Sequence, residues 1–134
     1  MRVALAFLLL AVALPAGAEW VRVGKESRSF PFLSGDAAYY IDPASIDKDG
    51  NLRKVWQIHD LSEKGSQGER SVLESVEYDC AAKRMRTLKA TGKSQRMARG
   101  EIIPLRQVFY EWVMLRPGKE DEKFFEVLAA VCAL

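Results

Sequence analysis

Two cysteines in a chain marked for export set the tightest limit on what this sequence can fold into. The mark lies at the N-terminus. Arg2 supplies a positive charge, and residues 3–14 form an uncharged apolar run of about twelve residues. Pro15 ends the run, and Ala16-Gly17-Ala18 offers the small residues that a signal peptidase reads. A membrane-crossing helix needs roughly twenty apolar residues, so the run reads as a cleaved signal rather than an anchor. The mature chain is then expected to start at Glu19. With Glu rather than Cys there, a lipid anchor is not expected, and no later segment reads as a membrane span. Export implies an oxidising compartment, where an even cysteine count reads as a disulfide. A bond between Cys80 and Cys132 closes a loop of about 53 residues. In the chain-entropy description that closure is worth roughly 4 kcal/mol, a large share of a total stability on the order of 5–15 kcal/mol. A reactive thiol or a metal site is the alternative, but no C-x-x-C pair occurs and His59 is the only histidine.

Cleavage leaves residues 19–134, enough for one domain with a modest core. The 20 basic and 18 acidic residues nearly cancel, so the molecule as a whole does not read as a polyanion binder, and nucleic acid is not an expected partner. The distribution is less even. Lys83, Arg84, Arg86, Lys89, Lys93, Arg96, Arg99 and Arg106 face Glu101 alone among acids in that stretch, whereas 60–79 and 120–126 lean acidic. One reading is a set of solvated, charge-alternating faces. The other is a basic strip, Lys83 to Arg99, for an anionic partner at the cell surface.

Alternating side chains predict strands over 20–25 and 37–41, with an apolar knot at Phe30-Pro31-Phe32-Leu33 in the loop between them. Pro43 and then Asp49-Gly50 predict turns, the second a hairpin. A long strand is expected over 52–61, with the Trp56/Ile58 face toward the core, followed by a polar loop over 62–69. In the next strand, 71–80, Val72, Val76, Tyr78 and Cys80 share a face interrupted by Glu74. Strands over 83–90 and 101–105 follow, separated by a loop at 92–100, with Pro104 marking an edge or strand end. Residues 107–115 read as strand, with helix as the alternative. After Arg116-Pro117-Gly118, Asp121 is a candidate N-cap, and Phe124, Phe125, Leu128, Val131 and Cys132 fall at helical spacing. The fold class is therefore α+β: an antiparallel sheet of about six strands, with a C-terminal helix laid on it and clamped by the disulfide.

No catalytic constellation is legible. His59 sits mid-strand without a nucleophile motif, and its plain reading is a surface strand histidine; a role on a haem iron or another small ligand is the sharper alternative. There is no phosphate loop, H-E-x-x-H or calcium loop, so neither a metal nor a cofactor is expected. Trp20, Tyr39, Tyr40, Trp56, Tyr78 and Trp112 read as sheet and core packing rather than a binding box.

Taken in order, Trp20-Val21, Tyr40-Ile41-Asp42-Pro43-Ala44-Ser45-Ile46, Asp49-Gly50, Lys54-Val55-Trp56, Glu77-Tyr78-Asp79-Cys80, Trp112, Arg116-Pro117-Gly118 and Val131-Cys132 resemble the bacterial surface-adhesin protein E family across the mature chain. The resemblance implies a non-enzymatic, exported binding domain of a Gram-negative bacterium. It implies an antiparallel sheet with a disulfide-tied C-terminal helix, Trp56 in the core, and a host matrix or plasma protein as partner. The founding adhesins are lipoproteins, and haem binding is also attributed to the group. Without the anchor, a periplasmic protein that meets another envelope protein is the alternative.

Overall fold

The computed structural model describes residues 19–28, 36–117 and 122–134. The export segment, the Phe30–Leu33 knot and the Asp121 cap lie outside the described residues. The described chain forms β1 (Val21–Arg28), β2 (Asp36–Ile41), a 3-10 turn (Pro43–Ser45), β3 (Asp47–Asp49), β4 (Leu52–Leu61), β5 (Ser71–Asp79), β6 (Arg84–Lys93), β7 (Ile102–Ile103), β8 (Val113–Met114) and α1 (Glu122–Cys132). All strands join one antiparallel sheet in the order β1-β2-β4-β5-β6-β7. Short β3 pairs with β4 beyond the end of β2, and β8 pairs with β6.

Local chemistry explains the connections. The Asp42 carboxylate accepts the Ala44 N–H, and Pro43 supplies a preset φ at the first position of the 3-10 turn. Gly50 holds φ +56 in the two-residue loop between β3 and β4, a conformation that costs glycine little. Gly92 has a different reason: a Cβ there would lie 2.5 Å from the carbonyl oxygen of Ile103, so only glycine lets β7 dock on β6.

The helix settles which sheet face is the core. Phe124, Val127, Leu128 and Val131 of α1 are buried against Val23, Ala37, Tyr39, Ile41, Val55, Leu61, Val76, Tyr78, Met85 and Leu115. Each fully buried aliphatic side chain of this kind is worth roughly 1.5–3 kcal/mol. The Cys80–Cys132 disulfide, with a Cα–Cα distance of 5.9 Å, joins the end of β5 to the last residue of α1.

The core face of β4 is Val55, Gln57, His59 and Leu61, so the expected Trp56/Ile58 face is the outer one. Trp56 is not a core residue; it pairs with Ser75 across β5 and is 36% exposed. Ile58 is nonetheless buried, two residues from Asp60 on the same face, where the 94–100 loop is bonded. Segment 107–115 is also corrected: only Val113–Met114 is strand, and Phe109 and Tyr110 remain exposed, so aromatic content there does not reflect burial.

The 94–100 loop is tied down by buried polar groups. Asp60 accepts hydrogen bonds from the Arg96 side chain and the Met97 N–H, and the Ser71 hydroxyl accepts the Ala98 N–H while donating to the Gln95 carbonyl. These bonds hold Met97 and Ala98 in consecutive left-handed conformations, both at φ 56, which L-residues adopt at a cost of roughly 1–2 kcal/mol each. Ala98→Gly is therefore expected to raise stability by about 0.5–1 kcal/mol, after the larger unfolded-state entropy of glycine is subtracted. A thermal melt checks this: a melting temperature at or below that of the parent would contradict it.

Candidate functional site

The outer face of the sheet gathers the basic residues, and a bulge is what aligns them. Within a regular strand, Arg84 and Arg86 would point opposite to Lys89 and Lys93. The β5–β6 register shifts between Ser75 and Val76, so that Lys89 faces Ser75 and Thr87 faces Val76, leaving Leu88 as the extra residue. The shift puts Arg84, Arg86, Lys89 and Lys93 together on the outer face. Met85, Thr87, Ala90 and Gly92 turn to the core face.

The expected strip is then only partly available as positive charge. Arg84 pairs with Asp79 at 3.0 Å, Arg86 with Glu77 at 2.6 Å and Arg96 with Asp60 at 2.8 Å. In each pair the carboxylate is buried and the guanidinium is more than a third exposed. Such pairs add little stability at a screened surface, but they fix where the guanidinium groups stand. Asp79 also accepts the Ala81 and Ala82 N–H groups. The Ala82 N–H is the largest influence holding its carboxyl below the usual range, and Arg84 adds to it. The indole of Trp112 lies over both guanidinium groups, 4.3 Å from Arg84 and 4.5 Å from Arg86. Lys54 and Lys89 are exposed on this face beside Trp56, and Lys93 is half-buried at its loop-covered end. Lys83 and Arg99 are exposed in the turns at opposite ends of β6 and do not join the cluster. Lys54, Trp56 and Trp112 were not in the strip read from the sequence. The register of β4 against β5 and the return of the chain past β6 bring them there.

The core face carries a second polar feature that sequence reasoning placed on the surface. His59 is 8% exposed, not a surface histidine. Its Nε2 lies 2.5 Å from Glu74 Oε1, and its ring packs edge-on against Tyr39 and near Phe124. Gln57 donates to the same Glu74 oxygen at 2.5 Å and accepts from the Tyr78 hydroxyl at 2.5 Å. Burial and the nearby Glu74 push the Tyr78 hydroxyl well above its ordinary pKa, so it stays a neutral donor. The Nε2 atom that a haem iron would need is already engaged by Glu74. Among the described residues no helix is long and apolar enough to cross a membrane.

Comparison with solved structures places this fold. Haemophilus influenzae protein E superposes with a TM-score of 0.61 at 16% identity, covering 85% of this chain and 83% of that one. A second crystal form of the same protein gives 0.58 at 15% identity, covering 85% and 99%. At such identities the likeness is one of fold. No curated protein sequence matches the chain. The family model described as surface-adhesin protein E matches residues 20–133, nearly the whole of the region read as the mature domain. The chain therefore belongs to the surface-adhesin protein E family.

Proposed function

We propose that residues 1–18 direct export and are removed, and that residues 19–134 act as a non-enzymatic binding domain in the periplasm or outside the cell. The observation that carries this reading is the family match across 20–133. The outer sheet face supports it by joining exposed Trp56 to Lys54, Lys89 and the Trp112-stacked arginines. Aromatic and guanidinium groups are the side chains that most often anchor protein interfaces. The partner is an anionic protein surface, of the host matrix or of the bacterial envelope.

Binding of the purified chain to heparin, vitronectin or laminin is expected to weaken steeply with salt. Lys89→Glu should reduce it several-fold at about 0.1 M salt and progressively less at higher salt, because exposed charges separated by more than about 10 Å are then screened. If none of the three binds in a salt-sensitive way, the anionic-partner reading fails. Protease treatment of intact cells separates the two locations: cleavage of the protein counts against a purely periplasmic role.

A further inference from the structure

β7 and β8 each pair with β6 through only two residues, at Gly92–Lys93 and at Arg84–Met85. Between these anchors the chain leaves the sheet edge and crosses as a strap. A cavity of about 370 Å³ lies between the strap, the core face of β6 and Phe124 of α1. Its walls are mainly apolar, with Val72, Met85, Ala90, Leu105, Val108 and Phe124 among them, and exposed Phe109 also lines it. His59 and Glu74, both more than nine-tenths buried, line it as well.

The polarity of this lining is specific. Gln57 and His59 both bond Oε1 of Glu74, which leaves its other oxygen, Oε2, open to a further donor. Glu111 is the second carboxylate on the cavity. Among the described residues, the Lys or Arg side chain on it is Arg86, held by Glu77 at 2.6 Å. An acceptor oxygen in an apolar wall calls for a donor, and two carboxylates favour that donor being cationic. An anionic ligand would set like charges together against a mainly apolar wall. A neutral hydrocarbon would dry the oxygen without replacing its hydrogen bond. The volume is near the lower end of the ~300–1,000 Å³ typical of ligand sites, which suits a single ring with a short side chain.

We propose that the cavity beneath the 105–115 strap binds a small apolar amine, its ring against the Phe124 and Val108 walls and its ammonium on Glu74. Glu74 and Phe124 stand on the core side of the sheet, opposite the outward-facing Lys54, Trp56 and Lys89, and Arg86 is the residue the cavity shares with the basic face.

The test is an NMR titration of the isotopically labelled, oxidised chain with 2-phenylethylamine, 2-phenylethanol and phenylacetate. The amine is expected to shift amide resonances in 87–90 and 105–115 and to bind about tenfold more tightly than the alcohol, the difference one charge-assisted hydrogen bond supplies. Phenylacetate is expected not to saturate. Glu74→Gln should remove the preference for amine over alcohol. Ala90→Leu fills the cavity beside Glu74 while keeping the Gln57, Glu74 and His59 side chains themselves. It should abolish binding while leaving the amide spectrum outside the cavity unchanged, so a folding defect in Glu74→Gln does not decide the result. Phenylacetate binding as tightly as the amine, an undiminished affinity in Ala90→Leu, shifts confined to other regions, or no shifts at all would each overturn the proposal.

Discussion

Replacing Cys132 with Ser, or reducing the oxidised protein, is expected to lower the melting temperature by roughly 10–20 °C. The two cysteines are 52 residues apart in sequence and close a loop that contains β6, β7, the strap, β8 and all but the end of α1. In the unfolded chain the bond removes the freedom of that whole loop, worth roughly 4 kcal/mol. In the folded chain it holds the last helical residue at the end of β5, beside the core that Val127, Leu128 and Val131 complete. An isolated helix of 11 residues is marginal in water, so α1 depends on that docking. Calorimetry of the oxidised and reduced forms checks the shift. Superimposable melts would mean the bond contributes nothing.

Gln57→Leu is expected to cost about 2–4 kcal/mol although leucine is similar in size and more apolar. Gln57 is fully buried and bridges the Tyr78 hydroxyl to Glu74. Leucine would leave the Tyr78 donor without its acceptor and would remove one of the two donors to Glu74 Oε1. A buried group stripped of its partner loses its solvation without replacement, roughly 1–3 kcal/mol for each. Tyr78→Phe in the same background removes one orphan. The double variant should therefore be less destabilised than the sum of the singles, by about 1 kcal/mol or more. Denaturant melts of the four proteins measure this coupling, and strict additivity would show that the bond is energetically unimportant.

Most strands were legible because their period and punctuation were local. Residues 52–61 form β4 as expected, and Asp49-Gly50 sits at the predicted hairpin. Which side of β4 faces the core was not legible. Alternation marks two faces but does not say which is covered, and Trp56 and Ile58 are more apolar than Gln57 and His59. The helix covers the Gln57/His59 face because Glu74 and Tyr78, reached only by pairing with β5, satisfy those polar groups there. The Glu74 that seemed to interrupt an apolar strand face is the partner that makes the burial of Gln57 and His59 tolerable. The basic strip shows the same limit. Its composition was plain, but the bulge at Leu88 decided which cations share a face, and buried Glu77, Asp79 and Asp60 decided which are neutralised.

The sequence by itself determined the α+β class, most strand positions, the amphipathic terminal helix and the cysteine pair that ties it down. Those follow from local periodicity and from the chemistry of two thiols with no other partners. Only the tertiary structure decided the core face of β4, the interior place of His59 and Glu74, the outer cluster around Trp56 and Trp112, and the cavity under the strap. Each of these depends on register between strands and on contacts between residues far apart in the chain. Side-chain hydropathy carries no information about the partner that will be waiting on the neighbouring strand.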